Sequence, residues 1–201
     1  MHVACVLIDH LPFKLEVQRD HGLRKRNVVI VQRHGSRRIV LDASPTAKGV
    51  LPGMSLQEAL ARCKDAAPIE ADSARYEQAF NTVILRLCDR SPVVEAAGLG
   101  RVYVGLDGLE RTHGGEAQLI DGLLQAVPGH LEPRLGVSYG KFPAYLAATN
   151  AQPGRACRPP GGLKDFLAPF SVDVLPVSWE VKTRLHSFGL HTLAQIASLP
   201  L

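Results

Sequence analysis

Asp9 is the residue best placed to do chemistry. It closes the run Val3-Ala4-Cys5-Val6-Leu7-Ile8, which is apolar throughout. Such a run predicts a strand buried on both faces. A carboxylate at the mouth of that strand suits a divalent cation. One carboxylate seldom holds Mg²⁺ for phosphoryl transfer; two or three must converge, with substrate phosphates completing the octahedron. The strand that should supply the others reads Gly98-Leu99-Gly100-Arg101-Val102-Tyr103-Val104-Gly105, with no acid and one arginine. Asp107 and Glu110 follow it, beyond its expected active end, and read as turn acids. No metal-ligand set is expected.

Cys5, Cys63, Cys88 and Cys157 are far apart and form no C-x-x-C pair. That argues against zinc and against a disulfide framework, and predicts buried free thiols in a reducing cytoplasm. The N-terminus has no basic leader ahead of its short apolar run, so a secretory signal is not expected.

Charge is uneven along the 201 residues, although the net value is only +4. Residues 21–64 hold nine Lys/Arg against two acids, a local charge of +7, while the rest carries −3. A basic module on a mildly acidic body suggests a polyanion partner. The alternative is a solvated surface that serves only solubility.

The elements that must position these groups follow from pattern. Lys14–Asp20 predicts a short helix. Val28–Val31 and Arg38–Leu41 predict two strands joined by His34-Gly35-Ser36, a hairpin signal. Ser55 and Glu58 form a capping box ahead of a helix over Leu56–Cys63. Tyr76, Phe80, Val83 and Leu87 stripe an amphipathic helix over Ala74–Arg90. Strands are predicted at 92–95, 100–106 and 134–138, and helices at Glu116–Ala126 and Lys141–Asn150. Pro153–Gly162 reads as a linker, followed by short helices at 180–187 and 192–198. Mixed strands with helices on one face make this an α+β layer interrupted by the basic insert.

Four blocks together carry a family resemblance. Residues 6–13, Val-Leu-Ile-Asp-His-Leu-Pro-Phe, look like the opening strand of the Y-family translesion DNA polymerases, usually hydrophobic-D-M-D-x-F-F. Residues 47–56 resemble that family's fingers element, A-R-x-x-G-V-x-x-G-M. Residues 136–147 are similar to its palm segment, G-I-[AS]-x-N-K-x-x-A-K-x-A, and residues 185–200 look like the second helical pair of its thumb. The resemblance implies a palm over 1–22 and 73–162 with a mixed or antiparallel sheet. It implies an inserted fingers module over 23–72 and a partial helical thumb over 163–201, where the chain stops short of a complete thumb.

Departures from the pattern shape the functional expectation. Asp9 is kept, but the next family acid falls on Leu11 and the sugar-policing aromatic on Lys14. The paired catalytic acids fall at Gly100 and Arg101. The fingers Tyr and Arg fall at Ala43 and Thr46, and the palm Lys on Tyr145. Members of the ImuB-type branch show the same loss. The resemblance therefore implies a non-catalytic adaptor in error-prone lesion bypass, with Asp9 vestigial, no cofactor and no primer extension with Mg²⁺ or Mn²⁺.

The implied partners are DNA, an ImuA-like protein of RecA fold, an error-prone replicative-type polymerase subunit, and the sliding clamp through a tail outside these residues. The implied location is cytoplasmic and nucleoid-associated. Expected DNA contacts are Arg24, Lys25, Arg26, Arg33, Arg37, Arg38 and Lys141. Arg101 is expected to replace the lost metal by contacting Asp9, directly or through water, and Trp179 is expected in the thumb core. Two rivals stay open: an active Mg²⁺-dependent translesion polymerase with a rearranged site, and a simple DNA-binding protein on the same scaffold.

Overall fold

The computed structural model describes residues 1–159 and 161–199. Two compact units divide the chain, Met1–Cys157 and the residues from Arg158 onward.

In the first unit β1 (His2–Leu7) is the central strand of a five-stranded sheet. The sheet also holds β5 (Val94–Ala96), β6 (Arg101–Gly105), β7 (Arg134–Tyr139) and β8 (Ala156–Cys157), in the order β5-β6-β1-β7-β8. β1 runs antiparallel to both neighbours, with Leu7 opposite Arg101 on one side and Arg134 on the other. β8 joins β7 in parallel, which makes the sheet mixed.

The continuous apolar run of β1 feeds two cores. Ala4, Val6 and Ile8 face a large core built from α1 (Leu11–Arg19), α3 (Ser73–Cys88) and α4 (Glu116–Ala126). Val3, Cys5 and Leu7 face α5 (Lys141–Asn150) through Ala144 and Ala148. Three helices thus share one face, as the pattern implies, and α5 lies against the other. Gly136 permits this: a Cβ there would sit 2.1 Å from both the Ala144 carbonyl oxygen and the Ala148 amide nitrogen.

The basic insert forms its own sheet of β2 (Val28–His34), β3 (Arg37–Ala43) and β4 (Ala67–Glu70), in the order β3-β2-β4. Alternate residues of β2 explain the arrangement. Val28 and Ile30 join the large core, while Val29 and Val31 pack with Val40, Ala43 and Ala59 in a core of the insert's own. α2 (Leu56–Arg62) closes that core and carries the expected Ser55/Glu58 capping box.

Several elements differ from expectation. α1 starts at Leu11, three residues early, because Pro12 is tolerated in a first helical turn and His10 turns the chain with φ 51°. β4 contains Pro68 at a sheet edge, where a missing ladder donor costs little. Cys5 and Cys63 are buried, but Cys157 is half-buried and Cys88 exposed at the end of α3. Burial pushes the Cys5 thiol up to about 12, which makes it inert at neutral pH.

The second unit holds α6 (Leu163–Leu167), α7 (Trp179–Ser187) and α8 (Leu193–Ala197), the last with a Thr192/Gln195 capping box. Trp179 is 75% exposed rather than in a core, because α7 buries none of its residues. The Leu-Pro ending of the thumb resemblance reaches Pro200, outside the described residues. No helix among the described residues is long and apolar enough to cross a membrane.

Candidate functional site

Asp9 follows β1 at the sheet end where β6 begins and β7 starts. Its carboxylate Oδ2 lies 3.3 Å from Nε of Arg134. The direct ion pair of Asp9 is therefore with Arg134 and not with Arg101. The cause is competition for Arg101. Its Nε donates to the Ala97 carbonyl oxygen at 3.0 Å, and its guanidinium lies over the Tyr145 ring, 4.9 Å from the centroid. Both arginines flank Leu7 in the ladders, and Arg134 is the one left for Asp9.

Gly100, where the resemblance puts the first of the paired acids, has φ +84°. A Cβ there would lie 2.6 Å from the Ile8 carbonyl oxygen, and the Gly100 carbonyl accepts from the Ile8 amide at 2.7 Å. This position has no room for a carboxylate side chain. Asp107 cannot substitute. It accepts from the His2 amide at 2.9 Å, at the other end of β1, about 20 Å from Asp9 at strand rise.

A second cluster links α1 to the end of β3. Asp42 is buried; its Oδ1 bonds Nδ1 of His10 at 2.8 Å and accepts from the Ala43 amide at 2.8 Å. Its Oδ2 accepts from the Phe13 amide at 3.1 Å. The hydrogen bond that the His10 ring donates to the Asp42 carboxylate holds the imidazole above its usual pKa. Sequence reasoning misses this pair, since 32 positions separate its members and no local pattern joins them.

Lys14 donates to the Leu131 carbonyl at 2.8 Å and pairs with Glu132 at 3.3 Å. Burial lowers its pKa, with Glu132 opposing. His10, Phe13, Lys14, Arg24, Thr46 and Glu132 are among the residues lining a cavity of about 490 Å³.

The expected DNA contacts divide into three places. Arg24 and Lys25 end a 3₁₀ turn over His21–Lys25, with Arg26 next, all exposed. Arg33, Arg37 and Arg38 are exposed at the tip of the β2–β3 hairpin. β2 spans seven residues between the two groups, about 20 Å. Arg38 is also held by Glu70 at 2.9 Å. Lys141 is apart from both, paired with Glu95 on the α5 face of the large sheet, with its ammonium 5.8 Å from the Tyr103 ring centroid.

Mg²⁺ requires converging oxygen ligands. Asp9 is engaged by Arg134, Gly100 offers nothing, and no group of three or more His, Cys, Asp or Glu among the described residues is arranged to hold a metal. The residues present do not fit a metal pair held by protein alone.

A mixed sheet with an antiparallel centre, an inserted small module and an Asp at the end of the first strand agree with a Y-family polymerase palm. Sequence comparison agrees: residues 6–149 match the model of the impB/mucB/samB family, and the chain belongs to that family. A DNA polymerase IV of Dehalococcoides mccartyi is 30% identical over 183 residues, 88% of this chain and 47% of that protein. Protein ImuB of Caulobacter vibrioides is 26% identical over 156 residues, covering 76% of this chain and 33% of that protein. The solved structure of DinB from Sulfolobus solfataricus matches all of this chain and 61% of its own, with a TM-score of 0.83 at 22% identity. The chain spans about half the length of the polymerase relatives it matches.

Two expectations are corrected by this kinship. A chain that is no enzyme and needs no cofactor is not what these relatives indicate. Two Dehalococcoides mccartyi proteins named DNA polymerase IV match nearly nine-tenths of the chain at 30% and 29% identity, against 26% for Protein ImuB. Mg²⁺ is the group the polymerase resemblance attaches to that activity.

Proposed function

We propose that this chain is the palm, the fingers and the start of the thumb of a Y-family DNA polymerase that works in translesion synthesis with Mg²⁺. Residues 1–22 and 73–162 form the palm in this reading, 23–72 the fingers and 163–201 the thumb. The observation that carries it is Asp9, retained at the end of the central strand of a family palm. DNA is the substrate class, approached through the exposed cations of residues 24–26 and of the hairpin tip, whose phosphate contacts carry no sequence preference. The protein's own contribution is to hold primer, template and nucleotide; the ligands Asp9 lacks must come from water and substrate. The test is primer extension past a template lesion by the full-length protein. Extension that needs Mg²⁺ or Mn²⁺ and disappears in Asp9→Ala supports the reading; absence of extension with either metal overturns it.

A second role is favoured by one observation, the glycine and arginine where the paired acids belong. We infer that the chain also organises other bypass factors: an ImuA-like protein, an error-prone replicative-type polymerase subunit and, through residues beyond this chain, the sliding clamp. Such a role does not require catalysis to be absent. Recovery of a second polymerase subunit with the tagged protein from DNA-damaged cells supports it; recovery of DNA alone contradicts it.

A further inference from the structure

On the α5 face of the large sheet one cation, Arg101, makes no ion pair among the described residues. Asp9 answers Arg134, and Glu95 answers Lys141. Arg101 is half-buried and has no acidic partner among the described residues. Its Nε is used by Ala97, while its two terminal nitrogens have no protein hydrogen-bond partner among those residues. Leaving a partly desolvated guanidinium without an anion is unfavourable. The Tyr145 ring lies against it, 4.9 Å from the guanidinium carbon to the centroid, within cation–π reach. Tyr103 is two positions along β6, on the same side of the strand. Neither the Tyr103 nor the Tyr145 hydroxyl has a protein hydrogen-bond partner among the described residues.

A guanidinium bonded through Nε to a carbonyl and lying against an aromatic ring, with its terminal nitrogens open, matches the oxygens of a phosphate. We propose that Arg101, beside Tyr145, is a phosphate-binding site on the palm face that takes a phosphate of a DNA strand or of a nucleotide without a divalent metal. The inference rests on reading this sheet end as a DNA site, but not on catalysis there. A strand phosphodiester and a nucleotide phosphate offer the same oxygens, so the experiment separates them.

The full-length protein is titrated with a fluorescent single-stranded oligothymidylate in excess EDTA, at several salt concentrations. Arg101→Met should weaken binding about tenfold and make the salt dependence shallower by about one unit of log–log slope. Arg101→Lys should fall between, since it keeps charge without the fork. Tyr145→Leu leaves the Arg101–Ala97 bond intact and should weaken binding by a smaller factor, which guards against a local folding defect in Arg101→Met.

Competition by thymidine triphosphate in EDTA, present in the parent and lost in Arg101→Met, assigns the phosphate to a nucleotide. Competition by unlabelled oligonucleotide alone assigns it to the strand. Parent-like affinity and slope in both Arg101→Met and Tyr145→Leu overturn the site. If primer extension fails while Arg101-dependent binding persists, the catalytic reading falls and this one stands; if extension succeeds and Arg101→Met binds normally, only this inference falls.

Discussion

The end of the large sheet and the basic ribbon of the insert deploy cations in opposite ways. At the sheet end the cations are fixed by named neighbours: Arg134 by Asp9, and Arg101 by a carbonyl and a ring. Along the ribbon Arg24, Lys25, Arg26, Arg33 and Arg37 stand in solvent, and Arg38 is tied at the surface to Glu70. Fixed cations can select a geometry, whereas exposed ones supply affinity through counterion release and little geometry. The sheet end is therefore where identity of single residues matters, and the ribbon is where number of charges matters.

The comparison breaks most severely at Gly136. A side chain there collides with the backbone of α5, so Gly136→Val should cost more than about 3 kcal/mol or prevent folding, read by urea denaturation. A smaller but sharper break is Gly100→Asp. Restoring the family acid at a positive φ, with the Ile8 carbonyl in the way, should cost about 1–3 kcal/mol and should not increase primer extension. Stability gained by this substitution would show that the sheet end can accept a carboxylate.

On the ribbon, replacing Arg24, Lys25, Arg37 and Arg38 by Ala should make the salt dependence of DNA binding shallower by up to about three units of log–log slope, with little change in melting temperature. An unchanged slope would move the contact surface elsewhere.

The smallest effect links the two regions. His10 has a raised pKa because Asp42 accepts from its ring. The protonated His10–Asp42 pair therefore stabilises the fold fully below the unfolded imidazole pKa, near 6.5. That contribution is lost as pH rises through the higher folded value. Because His10 is partly exposed, the effect should be about 1 kcal/mol or less. Asp42→Asn should flatten this part of the stability–pH profile, measured by denaturation between mildly acidic and mildly alkaline pH.

Much of the frame is legible in the chain. The ranges of α4 and α5 agree with periodicity, and the apolar run of β1 announces a strand buried on both faces. β4 and β8 are not legible, because four residues with a proline and two residues in a linker are too short for any period to register. The site is legible as a set of family positions, but not as contacts. Whether Arg101 or Arg134 meets Asp9 depends on how each long side chain leaves its strand and on what Tyr145 and Ala97 offer in competition. The His10–Asp42 pair forms only when the insert folds back on α1, which no local pattern encodes.

The central claim is that Asp9 serves a polymerase palm. It is tested most directly by single-nucleotide incorporation into a primed template by the full-length protein, with and without Mg²⁺, beside Asp9→Ala. The account expects Mg²⁺-dependent incorporation that the substitution removes while DNA binding in EDTA is kept. No incorporation by the parent, or equal incorporation by the variant, would contradict it.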